Sequence, residues 1–223
     1  MSAQLRAVLA VAGKDLRSEW RGRELVASLA QFSVLALLIA NFGFDLDPAS
    51  TGRVAPGILW LVLVFAGLVA FGRSFAVERD QESLEALLLA PVSPAAVLAG
   101  KAVAAAAMLA LSEAVLLVGM ALFFGTPLAS GPLLAAVLLA TVGMAAVGTV
   151  FAALTVQLRS RELLLPVLAL PLWIPFVVAG GRAVQVAMGD AQSGGLQALA
   201  LLADFDILFV IAALLAGRYV LNE

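Results

Sequence analysis

The chain has 223 residues, 63% of them hydrophobic and only 13% charged, with a formal net charge of −2. Soluble domains run nearer half apolar and a quarter charged, and a core at this length cannot hide so large an apolar excess, so a soluble fold is excluded and lipid becomes the expected solvent. Near-neutral charge gives no reason to expect a nucleic-acid partner, and without cysteine or histidine there are no disulfides, thiolate metal sites or imidazole bases.

The first 24 residues carry Arg6, Lys14, Arg17, Arg21 and Arg23, with no apolar run leading to a small-residue cleavage site, so the segment is expected to be retained. Leu5, Val8, Leu9, Ala12, Leu16 and Trp20 recur at three- and four-residue steps, largely away from the cations. That pattern suits an amphipathic helix lying in the membrane interface. A plain cytoplasmic tail whose cations only set topology is the alternative.

Six stretches then reach the roughly 20 apolar residues that a spanning helix needs: 25–44, 54–72, 102–124, 132–156, 163–181 and 196–217. The expected fold is an all-α polytopic membrane protein, a single transmembrane domain with an interfacial helix over 1–24. With the N-terminus inside, 11 of the 13 Lys and Arg fall on the cytoplasmic side, and only Arg53 and Arg182 outside. By the positive-inside rule both termini are then cytoplasmic.

The longest cytoplasmic stretch between spans runs from 73 to 101. Leu84, Leu87 and Leu88 line one face of a short helix, and Glu78, Arg79, Asp80, Glu82 and Glu85 supply its charged surface. Ala90-Pro91 ends it. Ser93-Pro94 then starts the next helix, with Ser93 as cap and Pro94 in the first turn. Such a loop either docks a soluble partner or packs on its own membrane domain.

Within the spans three acids stand out: Glu113, Asp204 and Asp206. An acid at mid-bilayer costs about 2.5–3.5 kcal/mol on insertion scales. Glu113 is either protonated or accepts from hydroxyls such as Ser112 on its own helix or Thr141 and Thr149 on a neighbour, and is either a translocation or gating residue or a buried neutral acid that holds two helices together. Asp204 and Asp206 fit a transport path or an outer re-entrant turn. Pro166, Pro171 and Pro175 predict a kinked or broken fifth span, a feature of some transport sites and more often of simple packing. The small-residue runs 102–107 and 143–148 suit close helix contact.

No phosphate-binding loop is present: Gly100-Lys101 is followed by alanine and lacks the upstream glycine. The chain is therefore not expected to hydrolyse ATP or to be an enzyme.

Several segments together resemble the haem exporter protein B family, the CcmB permeases of cytochrome c maturation. They are Arg53-Val-Ala-Pro-Gly-Ile-Leu-Trp60, the stretch Arg73-Ser-Phe75 with Glu78, Ser83-Leu-Glu-Ala-Leu-Leu-Leu-Ala-Pro-Val-Ser-Pro94 with Lys101, and Leu165-Pro-Val-Leu-Ala-Leu-Pro171. The Leu-Glu-x-Leu-Leu-x-x-Pro part is shared more widely with ABC-2 type permeases. Glu82 stands where the family pattern has glycine, and favours a more continuous helix start.

The resemblance implies a permease of the bacterial cytoplasmic (inner) membrane, present in two copies. It implies pairing with a separate ABC-type ATPase that binds the ATP, and with a haem-handling membrane protein. It makes 77–95 the coupling loop, with Glu78 to Leu88 the helix that docks on the ATPase, and makes the first 24 residues the interfacial elbow. Haem belongs on the partner protein, since this chain lacks both usual iron ligands, although Met108, Met120, Met144 and Tyr219 remain as candidate ligands. The competing expectations are an ABC-2 permease for a lipid, glycan or drug, and a secondary transporter driven by protons through Glu113.

Overall fold

The computed structural model describes residues 2–44, 48–80, 92–127, 130–156, 158, 161–189 and 194–217. Glu82, Leu84, Glu85, Leu87 and Leu88 of the expected coupling helix lie outside them, as does Tyr219. The described residues form helices α1 (Ala3–Gly22), α2 (Glu24–Gly43), α3 (Pro48–Arg73), the short α4 (Ala76–Asp80), α5 (Pro94–Phe124), α6 (Gly131–Thr155), α7 (Arg161–Ala187) and α8 (Gly195–Ala216). Six of these, α2, α3 and α5 to α8, are long and apolar enough to cross a membrane.

Helix ends follow local chemistry. Ser2, Ser93 and Ser130 each cap a helix by accepting a hydrogen bond from the amide three residues on, and Pro94 and Pro132 sit in the first turns of α5 and α6. The Ser93–Pro94 start expected from sequence is therefore present. It places Lys101 inside α5 rather than ahead of the third span, because the apolar stretch itself begins at Pro94. At the α1–α2 corner Arg23 takes a left-handed conformation (φ 55°). Its amide donates to the Glu19 carbonyl, and the Glu19 carboxylate accepts from the amides of Leu25 and Val26 at 2.8 and 3.0 Å. Those amides open α2 and have no helical partner of their own.

α6 is the central helix, packed against α3, α5, α7 and α8. Its small-residue run, 143–149, is buried throughout. A Cβ at Gly143 would collide with the Phe176 ring of α7 and the Asp206 carboxylate of α8. Large rings fill the space that the small residues leave. Phe71 and Trp173 meet edge to face with centroids 5.8 Å apart, beside the buried Trp60 and Phe176.

α7 is helical without interruption from Arg161 to Ala187, so of the kinked or broken fifth span expected, the break is not formed. Each proline removes one amide donor, and the intervening residues keep the helix continuous. α8 is likewise one helix through Asp204 and Asp206, so the re-entrant turn is not formed.

α1 packs along the N-terminal part of α5, so a free tail is excluded. Its apolar stripe is divided between two environments: Ala12 is buried and Leu16 packs against the core, whereas Leu5, Leu9 and Trp20 remain exposed. Exposed leucines and a tryptophan beside a basic face suit a membrane surface.

Candidate functional site

The root of the 77–95 loop is fixed to the membrane helices by a closed ring of two cations and two acids. α1 contributes Lys14 and Asp15, α4 contributes Glu78 and α5 contributes Lys101. Lys14 Nζ lies 3.1 Å from Asp15 Oδ1 and 2.5 Å from Glu78 Oε1. Lys101 Nζ lies 3.0 Å from Asp15 Oδ2 and 2.5 Å from the same Glu78 oxygen. Lys101 also donates to the Ser74 carbonyl at 2.7 Å. Two of its three ammonium donors are thus satisfied by hydrogen bonds, with the Asp15 carboxylate in ion-pair range. The Phe75 ring faces it at 5.2 Å.

The ring is graded in exposure: the Lys101 and Glu78 side chains are 1% and 4% exposed, and Lys14 is 53% exposed. Burial pushes the Glu78 carboxyl up, but the charge and hydrogen bond of Lys101, joined by Lys14, outweigh it and hold the group below the ordinary carboxylate range. Burial likewise disfavours the Lys14 ammonium, while Glu78 and Asp15 more than offset this and leave its pKa raised.

The Glu78 carboxylate turns inward to Lys101, as a buried ammonium needs an acid beside it. Arg79, next in α4, is half-buried. Asp80 ends the helix.

Gly100 lets α1 come this close. A Cβ there would stand 2.7 Å from Val11 Cβ and 2.9 Å from the Val8 carbonyl oxygen. A cleft of about 260 Å³ opens beside the ring, lined by Ser18, Arg73, Ala104 and Met108 among others. Met120 and Met144 are fully buried in the core, away from it.

The intramembrane acids do not form one cluster. Glu113, 3% exposed, meets Thr141 of α6 at 2.6 Å, and the same hydroxyl lies 2.8 Å from the Val137 carbonyl. A hydroxyl has one proton: when it donates to Val137, a protonated Glu113 donates to it. Either way the acid clamps α5 to α6. Asp206 is buried against Gly143, two residues along α6 and so on a different face of that helix. Asp204 and Pro171 lie on the outer surface, and Pro175 is half-buried. No cluster of acids able to hold a metal occurs among the described residues.

Sequence reading missed the ring. Lys14, Glu78 and Lys101 are 64 and 23 residues apart, beyond any local periodicity. A single polar residue near the start of a long apolar helix, Lys101, was the available signal.

A sequence profile described as CcmB protein matches residues 6–221. Curated relatives are named "Heme exporter protein B". The one from Rhodobacter capsulatus is 36% identical over 193 residues, 79% of this chain and 81% of the relative. The one from Paracoccus denitrificans is 32% identical, covering 85% and 87%. The one from Escherichia coli K12 is 29% identical, covering 93% and 90%.

Proposed function

The chain belongs to the CcmB protein family, and on that premise we propose that it is the membrane-spanning permease subunit of an ABC-type complex for haem export in bacterial cytochrome c maturation. It works as two copies in the cytoplasmic membrane with both termini inside. A separate ATPase binds the ATP, and a haem-handling membrane protein carries the haem. The relatives' name supplies the substrate class, and the six apolar helices supply the setting.

One observation carries the mechanism: Glu78, at the root of the cytoplasmic loop, is locked to both α1 and α5. A push on the loop then moves the elbow helix and α5 as one body, and the Glu113–Thr141 clamp passes it to α6. The outer part of the loop, with Glu82, Glu85 and the leucines, meets the ATPase. The subunit transmits motion to the haem-loaded partner and helps release its cargo.

Mild-detergent purification tests the assembly. The complex should contain an ATP-binding subunit that Glu85→Lys releases. Glu78→Gln should keep the ATPase bound and hydrolysing while cytochrome maturation falls. Release of the ATPase by Glu78→Gln but not by Glu85→Lys would reverse the two assignments. Liposomes holding only this chain and the ATPase should show no robust ATP-driven haem flux, and such flux would overturn the transmission role.

A further inference from the structure

Among the described residues, Asp204 has no polar partner from its own chain. α8 is 22 residues long, about 32 Å at 1.5 Å per residue, close to the thickness of a bilayer core. Asp204 falls about 14 Å along it, near the middle. Its neighbour Asp206 is two positions away, about 200° around the helix, and turns into the protein. Asp204 is exposed, in the centre of the helix arc that the other helices leave uncovered. Ionisable residues at this depth almost always face a partner or water rather than lipid.

The residues around it are spaced for a second helix. Gln197, Leu201, Asp204, Leu208, Ile211 and Leu215 follow one another at alternating steps of four and three, and every one is exposed. That is the seam spacing of helices packed in a coiled coil.

Charge says which helix it is. Two copies of this chain in one membrane are parallel, and a symmetric contact along α8 would bring Asp204 against its own counterpart. Nor does the rest of a second copy offer a cation at mid-depth: in the six apolar helices each Lys and Arg lies within about eight residues of an end.

We infer that the outer face of α8 docks a transmembrane helix of a different protein, which presents a basic side chain to Asp204 near the bilayer midplane. The inference needs α8 to cross the membrane and does not depend on ATP-driven coupling.

The chain has no cysteine, so Leu208→Cys and, as a lipid-facing control on α2, Ile39→Cys (Ile39 is 71% exposed) each introduce a single thiol. Both are labelled with a benzophenone maleimide in native membranes and photolysed. Leu208→Cys should give an adduct with a different polypeptide, whose sequenced cross-linked peptide lies in a transmembrane helix carrying a central Lys or Arg. Adding Asp204→Leu should cut the yield at least tenfold. Exchanging the charges, Asp204→Lys with an acid in place of the partner's basic residue, should restore it.

An adduct with a second copy of this chain overturns the inference. So does a partner helix without a basic residue, or a yield no higher than that of Ile39→Cys. Where Asp204→Leu fails to fold, the isosteric Asp204→Asn decides: a reduced yield supports the pairing, and an unchanged yield refutes it.

Discussion

Replacing Lys101 by methionine keeps the length and flexibility of the side chain and removes its charge. The structure sets the cost. Lys101 is 1% exposed, donates to Glu78 at 2.5 Å and to the Ser74 carbonyl at 2.7 Å, and lies 3.0 Å from the Asp15 carboxylate. Methionine removes the donor to that carbonyl and leaves buried Glu78 with Lys14 as its one remaining ion-pair cation among the described residues. Removing one member of a buried ion pair costs about 3–5 kcal/mol, which for a domain of this size lowers the melting temperature by roughly 6–20 °C. Unfolding followed by tryptophan fluorescence in one detergent reads the shift. Pairing Lys101→Met with Glu78→Met removes the stranded acid while Lys14 and Asp15 still hold each other, so the double variant should melt above the single one. A loss below about 1 kcal/mol for Lys101→Met, well under the range for a broken buried pair, would refute the reasoning. So would a double variant as unstable as the sum of the two singles.

The pH profile of the same melt should show two limbs. The Glu78 carboxyl is lowered below its ordinary 4.5, so its contribution is present above that value and lost as pH falls through the folded-state pKa, and Glu78→Gln should abolish this acid limb. The Lys14 ammonium is raised above 10.5, so its contribution is present below that value and lost as pH rises through the folded-state pKa, an alkaline limb that Lys14→Met should remove. Gly100→Ala forces α1 away from α5 at Val8 and Val11 and should cost about 1–3 kcal/mol, typical of overpacking, with faster proteolysis of the first 24 residues. Glu113→Gln can donate its amide to Thr141 and should stay within about 1 kcal/mol of the parent, near the net value of one hydrogen bond, with cytochrome maturation retained. Complete loss of transport in this folded variant would favour the proton-driven alternative.

Much of the fold was legible because it rests on local rules. Apolar length marks the spans, and Ser93 with Pro94 marks the start of α5. The alternation of Asp204 and Asp206 already implies opposite faces once a helix is granted. Other features depended on tertiary packing. Glu78 reads as one of a surface run of charges, and only α1 folding back over α5 shows that it is buried. The stripe from Leu5 to Trp20 reads as one face, whereas close approach at Gly100 takes part of it for the protein and leaves the rest to the membrane.

The buried Lys101 also bears on how the chain is made. Its two acids, Asp15 and Glu78, precede it in the sequence, and synthesis proceeds from the N-terminus. When α5 enters the bilayer with an ammonium near its N-terminal end, both neutralising groups have already been synthesised, and in the folded chain they lie against that end. The cation can be matched as soon as it appears, without waiting for α6, α7 or α8. Asp15 of the N-terminal helix and Glu78 thus stand ready to match Lys101 before the third spanning helix is complete.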